Sequence, residues 1–368
     1  MPTTIRAAIM TAVGAELIVD EVELDDPREG EVCVEVQACG VCHSDLHHLD
    51  GSLHSKPPLV LGHEAAGVVT EVGAGVTSLA PGDRVVLTMA PSCGRCYWCE
   101  RGQHTLCETY AGLIGGTYPD GSTRLAWRGE QLRRGLVLSA FAERTVVPAD
   151  AAVRIDDDVP TEIAALTGCA VQTGLGAVLN TAQVPAGSSV VVSGLGAVGL
   201  SIVQGARIAG AATIVAADPN AVRRGEASRL GATHVVDPTT QRLDHLVRDL
   251  TAGRGADVTF DAVGRGDVVE TLMKATRSGG TTVMVGIPST EDVVTVRGLR
   301  HAFYENRLIG CYLGSAKATR DFPRIFDLWR SGLLDLESMV TARRPLEEIN
   351  DAVADLRRGT GVRTVLAP

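Results

Sequence analysis

The chain has 368 residues, of which 45% are hydrophobic and 21% are charged, and its formal net charge is −10. This length favours two domains over one. An acidic chain with both signs of charge along its length is not typical of proteins that bind nucleic acid or an anionic membrane surface, so we expect neither partner. The N-terminal residues lack the layout of a secretory signal, and we find no apolar run of roughly 20 residues that would span a bilayer. These features predict a cytoplasmic protein.

The first third of the chain reads as a β-rich domain. Short segments around residues 17–19 and 32–36 are separated by the turn-forming residues 26–30, and further short segments end in glycine or proline. This pattern predicts short strands joined by turns.

Within this domain, residues 40–64 carry side chains that suit a metal. Cys42 offers a thiolate and His63 an imidazole, a pair of ligands that suits Zn²⁺. The neighbouring carboxylates of Asp45 and Glu64 could orient these ligands. A catalytic zinc needs a third protein ligand and one open position, and the best candidate for that ligand is Cys169.

A second metal signal lies in residues 92–108. Its four cysteines are Cys93, Cys96, Cys99 and Cys107. Four thiolates at this spacing can close a tetrahedral shell around a structural zinc. The alternative is two disulfides, which a reducing compartment opposes. Another cysteine, Cys39, forms Cys-Gly-Val-Cys with Cys42 and could suggest a redox pair, but we interpret it as a buried structural thiol.

The middle of the chain changes character twice. Residues 110–140 are rich in glycine, arginine and polar residues and predict a long surface loop. Helical spacing follows at residues 162–182. From residue 189, apolar strands alternate with helical segments, which predicts a parallel, doubly wound sheet.

The beginning of this sheet has the features of a dinucleotide-binding βαβ unit. An apolar strand runs into a turn with Gly194, Gly196 and Gly199, and the next strand ends at Asp218, 19 residues beyond Gly199. The glycines let the backbone approach a pyrophosphate at a helix N-terminus, and Asp218 could accept hydrogen bonds from the adenosine ribose. An acid at this place repels a 2′-phosphate, so NAD is predicted over NADP.

Taken in order, these motifs resemble the zinc-dependent medium-chain alcohol dehydrogenases along nearly the whole chain, in particular the long-form class I and class III enzymes and the bacterial nicotinoprotein and aryl alcohol dehydrogenases. The resemblance implies an α/β fold with a β-rich GroES-like catalytic domain and a Rossmann domain with a doubly wound parallel sheet. The implied bounds are 1–171 for the first part of the catalytic domain, 172–313 for the NAD-binding domain and 314–368 for the second part of the catalytic domain.

The resemblance also implies an activity. The chain would be an NAD-dependent enzyme with two Zn²⁺ per chain that transfers a hydride between NAD⁺ and a primary or secondary alcohol, giving an aldehyde or ketone. One alternative is a nicotinoprotein with permanently bound NAD. Another is a thiol-dependent formaldehyde dehydrogenase, which Ala111 disfavours because that branch has an anion-binding arginine there.

Residue roles follow from the same resemblance. The implied catalytic set is Cys42, His63, Cys169, Glu64, Asp45, Ser44 and His47. In this set, Ser44 corresponds to the hydroxyl that receives the substrate proton, and His47 to the group that exchanges it with solvent. The implied cofactor contacts are His43, Thr173, Gly194, Gly196, Gly199, Asp218, Arg223, Ile287 and Arg363.

The implied substrate pocket differs from that of many relatives. Its lining residues would be Ser44, Leu53, Met89, Gly135, Leu136 and Ile287. Small residues at positions 44 and 135 and the flexible Met89 suggest room for a bulky or aromatic alcohol. The resemblance further implies a homodimer that pairs through the strand near residues 308–313, with a tetramer as the next possibility.

Overall fold

The computed structural model describes residues 2–368 of the chain. Its strands are β1 (Thr3–Met10), β2 (Ile18–Leu24), β3 (Glu31–Gly40), β4 (Leu59–Val60), β5 (Glu64–Val72), β6 (Arg84–Leu87), β7 (Leu125–Trp127), β8 (Glu130–Gln131), β9 (Arg133–Arg134), β10 (Arg144–Pro148), β11 (Ala152–Arg154), β12 (Ser189–Ser193), β13 (Thr213–Ala217), β14 (His234–Val236), β15 (Ala256–Asp261), β16 (Thr276–Met284), β17 (Arg307–Gly310), β18 (Val340–Pro345) and β19 (Arg363–Ala367). Its α-helices are α1 (His43–Leu49), α2 (Tyr97–Glu100), α3 (Thr161–Leu166), α4 (Gln172–Gly176), α5 (Ala197–Ile208), α6 (Ala221–Leu230), α7 (Leu243–Leu250), α8 (Gly266–Ala275), α9 (Gly298–Phe303), α10 (Ala318–Arg330) and α11 (Ile349–Arg358).

The chain forms two compact units. The first comprises the chain up to Cys169 together with Lys317–Gly332 and Leu336–Pro368, and the second comprises Ala170–Ala316 with Leu333–Asp335. The first boundary between the units therefore lies two residues before the predicted boundary at 171/172, and the second lies three residues after the predicted boundary at 313/314. The short return of 333–335 to the second unit has a local cause, because Gln204 bonds the backbone N–H and C=O of Asp335.

The first unit is built on two mainly antiparallel sheets. One has the strand order β8-β7-β2-β1-β4-β9, and the other has the order β11-β6-β5-β3-β19-β18, with β10 also paired to β3. Apolar residues of both sheets form one core, and α11 contributes Ile349 and Val353 to it. The β-rich character of the first third of the chain is thus as the sequence predicts.

Residues 110–140 differ from the expected surface loop, because they supply strands β7, β8 and β9 to the first sheet. Tyr118 is buried there, and the guanidinium groups of Arg124 and Arg134 lie 4.4 and 5.2 Å from the centre of its ring. Arg124 pairs with the buried Glu31, and Arg134 donates to backbone carbonyls. Two of the four arginines that suggested a solvated loop, Arg124 and Arg134, are therefore buried hydrogen-bond donors.

The second unit has a six-stranded parallel sheet. Its order is β14-β13-β12-β15-β16-β17, which is 3-2-1-4-5-6 in the order of the chain. This is the doubly wound order of dinucleotide-binding domains. The predicted fold class is confirmed.

One helical run corrects the expectation about apolar segments. The stretch Thr161–Thr181 is long and apolar enough to cross a membrane by length and composition, but 89% of its most apolar window is buried inside the protein. Its π-helical turns at Thr167–Val171 and Ala177–Thr181 divide it into short α-helical pieces, within the range where the sequence predicts helical spacing.

Candidate functional site: two cysteine-rich metal sites and a nucleotide-binding turn

The three residues predicted to hold the catalytic zinc come together in the first unit. The ligand atoms of Cys42, His63 and Cys169 lie within 4.8 Å of one another, and all three residues are buried. Cys42 precedes α1, His63 precedes β5, and Cys169 lies in a π-helical turn, a feature that is frequent at functional sites. Two thiolates and one imidazole are the soft and borderline ligands that zinc prefers.

The orientation of His63 makes this arrangement suitable for a metal. Its Nδ1 lies 3.3 Å from a carboxylate oxygen of Asp45, and its buried Nε2 has no hydrogen-bond partner among residues 2–368. Asp45 is itself held by the backbone N–H groups of Cys42 and Gly62. A carboxylate at Nδ1 fixes the ring and leaves Nε2 free to bind a metal, so the residues present fit a zinc ion.

The two thiols of this site are coupled by a hydrogen bond that shifts their pKa values in opposite directions. The Cys169 thiol donates a hydrogen bond that lowers the pKa of Cys42 well below its usual range, and the positive charge of Arg363 lowers it further. The same bond and the burial of the thiol raise the pKa of Cys169. A metal takes cysteine as the thiolate and histidine as the neutral ring, so binding a metal here would release protons.

A buried ion pair lies beside the ligands. Arg363 Nε is 2.9 Å from Oε2 of Glu64, both side chains are almost completely buried, and Arg363 also donates to the carbonyl of Val41. The resemblance to the family implies that Arg363 contacts the cofactor pyrophosphate. The structure places it among the zinc-site residues, and no local sequence signal connects it to Glu64 because the two are far apart in the chain.

The predicted proton-relay residues flank the same site. Ser44 Oγ lies 3.9 Å from the Cys42 sulfur, and its side chain is partly exposed. His47 is in the last turn of α1, and its buried Nδ1 has no hydrogen-bond partner among the described residues. A free ring nitrogen and a partly exposed hydroxyl on one short helix are compatible with proton transfer.

The second cysteine cluster is also assembled. The sulfur atoms of Cys93, Cys96, Cys99 and Cys107 lie within 4.8 Å of one another, and all four are free thiols. The pKa of Cys93 is lowered to about 6, first by a hydrogen bond from Thr109, whereas burial raises that of Cys99 to about 12. Four sulfur ligands without another protein donor match a structural zinc site.

Each of the three glycines in the turn of the second unit is explained by a different feature of the structure. Gly194 has φ of +88°, and a Cβ on Gly199 would lie 1.8 Å from the carbonyl oxygen of Gly194. At Gly196, by contrast, a Cβ would meet nothing within 4 Å, and this residue caps the N-terminus of α5. Two glycines thus serve the turn and its packing, and the third leaves open space at a helix N-terminus, where a pyrophosphate binds.

Other predicted cofactor residues surround this turn or carry unpaired groups. Asp218 is buried at the end of β13, and its oxygens accept from the N–H groups of Leu195 and Asn220. Arg223 lies 4.0 Å from Asp218, and its Nε has no hydrogen-bond partner in the part of the chain described. The buried hydroxyl of Thr173 is likewise without a partner among these residues. Such groups are available to a polar ligand.

The remaining predicted contact residues differ in their exposure to solvent. His43 and Ile287 are exposed, and Leu53, Met89 and Leu136 are partly buried. The sequence suggests that the small Gly135 leaves open space for a substrate. In the structure, a Cβ at this position would lie 2.6 Å from the carbonyl oxygen of Val60. Glycine is needed at this position for close backbone approach, and its part in a substrate pocket stays a prediction.

Comparisons with known proteins agree with this arrangement. Residues 28–157 match the family described as alcohol dehydrogenase GroES-like domain, and residues 197–331 match the zinc-binding dehydrogenase family. The chain is 39% identical to the NDMA-dependent alcohol dehydrogenase of Amycolatopsis methanolica, over 98% of each protein. It is 38% identical to the S-(hydroxymethyl)glutathione dehydrogenase of Escherichia coli O139:H28, over 98% of this chain and 99% of the relative. The crystal structure of benzyl alcohol dehydrogenase from Acinetobacter calcoaceticus superposes with a TM-score of 0.94 at 29% identity and 99% coverage of each chain.

Proposed function

This chain belongs to the family of zinc-dependent alcohol dehydrogenases, and we propose that it transfers a hydride between NAD⁺ and a primary or secondary alcohol, releasing an aldehyde or ketone, NADH and a proton. The observation that carries this proposal is the buried set of Cys42, His63 and Cys169, in which the free Nε2 of His63 lies within reach of both sulfur atoms. The same chain holds a dinucleotide-binding turn at Gly194, so it has the parts that hydride transfer from an alcohol requires.

The zinc would be held by Cys42, His63 and Cys169, and when bound it supplies Lewis acidity that favours loss of the proton from an alcohol. Asp45 fixes the ring of His63 through Nδ1, and the Glu64–Arg363 pair places a compensated charge beside the two sulfur atoms. These residues set the position and the charge of the ligands.

The proton taken from the alcohol needs a route to solvent. We assign its first acceptor to the Ser44 hydroxyl, which lies 3.9 Å from the Cys42 sulfur, and the exchange with solvent to His47, whose side chain is partly exposed. A histidine suits this step because its ordinary pKa is near neutrality.

NAD is assigned to the second unit through the open space at Gly196, the carboxylate of Asp218 and the free hydroxyl of Thr173. The negative charge of Asp218 at the end of β13 opposes a 2′-phosphate, which favours NAD over NADP. His43, Arg223 and Ile287 complete the proposed set of cofactor contacts, and the contact of Arg363 with the pyrophosphate stays a prediction because its guanidinium is buried against Glu64.

A bulky or aromatic alcohol is the proposed substrate class. The likeness to a benzyl alcohol dehydrogenase supports it, as does the flexible Met89 among the proposed pocket residues. The test follows NADH absorbance in zinc-loaded protein with NAD⁺ or NADP⁺ and a series of alcohols from ethanol to benzyl and terpenoid alcohols. We expect turnover with NAD⁺ that favours the larger alcohols. A preference for ethanol would contradict the substrate class, and no turnover with any alcohol would contradict exchange of NAD in each cycle.

The second candidate is a nicotinoprotein in which NAD stays bound. The likeness to an NDMA-dependent enzyme over 98% of each chain favours it. Native protein would then release nicotinamide dinucleotide on denaturation and would turn over alcohol only with an artificial electron acceptor. The thiol-dependent formaldehyde dehydrogenase is a third possibility because of the 38% identical relative; activity with formaldehyde only after addition of glutathione would identify it.

The assembly and location complete the proposal. Strand β17 is at the edge of its sheet, where its unpaired side is open to a second copy, so we expect a homodimer first and a tetramer next. The acidic chain and the free cysteines are in keeping with a cytoplasmic enzyme.

A further inference from the structure

A cavity of about 230 Å³ in the second unit belongs to neither zinc site nor to the glycine turn. Its lining comes from the C-terminal half of α8, from β16, from the segment leading into α9, from α9 itself, and from the start of β17. The lining residues are Glu270, Met273, Lys274, Thr282, Thr295, Arg297, Arg300, His301, Asn306 and Arg307.

The charge of this lining is strongly positive. Lys274, Arg297, Arg300 and Arg307 are four cations, and Glu270 is the single carboxylate of the lining. Many arginines of the chain form ion pairs, for example Arg277 with Asp257, but none of these four forms one within residues 2–368. Lys274, Arg297 and Arg307 are exposed, so solvent screens part of their mutual repulsion, and Arg300 lies 5.5 Å from the centre of the Tyr304 ring. An anion between cations that converge on a concave surface relieves the repulsion that remains.

The hydrogen-bonding groups of the cavity also suit an anion. The carboxylate of Glu270 accepts a hydrogen bond of 3.0 Å from the backbone N–H of Thr295. His301 has a buried Nδ1 without a hydrogen-bond partner among the described residues, and the hydroxyl groups of Thr282 and Thr295 are in the same lining. A ligand with several acceptor oxygens could use these groups together with the guanidinium groups.

The position of the cavity separates it from the proposed nucleotide site. A dinucleotide binds beyond the carboxyl ends of the strands of such a sheet. Arg307 is the first residue of β17, and Lys274 lies at the C-terminal end of α8, which leads directly into β16. Both cations therefore lie towards the amino ends of the parallel strands, at the edge of the sheet opposite the nucleotide crevice.

We propose that this cavity, lined by Lys274, Arg297, Arg300 and Arg307, binds a small phosphate monoester at a site distinct from the NAD site. Guanidinium groups match the geometry of phosphate oxygens, and the two charges of a phosphate monoester near neutral pH suit a surplus of cations. The volume exceeds that of a single phosphate group and leaves room for a short carbon chain beside Met273. It lies below the usual range for drug-sized ligands, which excludes a second dinucleotide.

Isothermal titration calorimetry tests this site with inorganic phosphate and glycerol 3-phosphate as probes. The full chain is titrated at constant ionic strength with saturating NAD⁺, so that the nucleotide site is occupied. We expect one saturable site per chain for glycerol 3-phosphate and no binding of glycerol. Absence of saturable binding, or equally strong binding of the dicarboxylate succinate, would overturn the proposal.

Two substitutions locate the bound phosphate. Arg307→Gln should weaken glycerol 3-phosphate at least about tenfold, because it removes a charge-assisted contact. Arg254→Gln removes an equally unpaired, exposed arginine from the same unit, outside the cavity lining, and should leave the affinity unchanged. Equal effects of the two substitutions would show general electrostatic attraction and refute a site.

A third variant is expected to change the affinity for glycerol 3-phosphate in the opposite direction, and its result does not depend on the stability of the Arg307 variant. Glu270→Gln removes the carboxylate of the lining but keeps an oxygen for the N–H of Thr295. Removal of one nearby negative charge should tighten glycerol 3-phosphate about fivefold. Unchanged or weaker binding in this variant would contradict the placement of the phosphate in the cavity.

Discussion

At the scale of single residues, the proposed zinc ligands differ sharply from cysteines next to them in the sequence. Cys42 and Cys39 are both buried and lie three residues apart, but only Cys42 has a sulfur close to both His63 and Cys169. We predict that Cys42→Ser lowers the zinc content from two ions to one per chain and reduces turnover at least about a thousandfold. Metal analysis and NADH absorbance measure the two effects. Cys39→Ala should keep both ions, and a loss of zinc in this control would contradict the assignment.

The buried ion pair of Arg363 with Glu64 leads to a prediction about stability. Glu64→Gln leaves the buried guanidinium of Arg363 without its carboxylate, and an uncompensated buried charge costs about 3–5 kcal/mol. We expect urea denaturation to show a loss of this size in the free energy of unfolding. Glu143→Gln removes a partner of Arg6 from a largely exposed pair, which should cost at most about 1 kcal/mol. Similar losses in both variants would show that the buried pair has no special role.

At the scale of elements, the turn between β12 and α5 separates a packing role from a binding role. A methyl group on Gly199 would collide with the Gly194 carbonyl, whereas one on Gly196 would enter open space. We predict that Gly199→Ala destabilises the protein by about 3 kcal/mol or more. Gly196→Ala should fold normally but raise the dissociation constant of NADH about tenfold, a change of about 1.4 kcal/mol. Thermal unfolding and titration of NADH fluorescence measure these effects.

The control for this pair is Gly225→Ala. Gly225 lies in α6 of the same unit, and a Cβ there also meets nothing within 4 Å. This substitution should leave the NADH affinity unchanged and should not destabilise the fold, since alanine is the better helix former. If Gly196→Ala binds NADH as tightly as this control, the open space at Gly196 is not where the pyrophosphate lies.

Elements were predictable from the sequence where one local pattern decides them. The strand, glycine turn, helix and acid from 189 to 218 are such a case, because close backbone approach admits only glycine at positions such as 199. Residues 110–140 are the opposite case. Their arginines have the composition of a surface loop, and only tertiary partners such as Glu31 and Tyr118 turn them into buried donors. The pairing of Arg363 with Glu64 was unpredictable for the same reason, since it depends on β3 lying between β19, which carries Arg363, and β5, which carries Glu64.

At the scale of the whole molecule, the edge of the parallel sheet is a surface where we expect a second copy of the chain to bind. Strand β17 ends the sheet, and α9, which precedes it in the chain, exposes Leu299 and Phe303 by 77% and 78%. Exposed edges and large apolar side chains favour association. Burial of these two side chains contributes about 1.5–3 kcal/mol each, so four of them in a symmetric pair give about 6–12 kcal/mol. This is comparable with the roughly 8 kcal/mol of a micromolar dimer.

We therefore predict that the double variant Leu299→Lys and Phe303→Lys is monomeric at micromolar concentration, while the unaltered chain sediments as two copies. Placing two lysines on each copy removes the apolar area and sets like charges against each other across a symmetric contact, which costs further affinity. Val222→Lys is the matched control, because Val222 is 74% exposed on α6, which packs on β13 and β14 rather than at the β17 edge. Sedimentation velocity distinguishes the outcomes. If the double variant is still a dimer, the contact between the copies lies elsewhere. If the unaltered chain sediments as a monomer, no second copy pairs with the β17 edge.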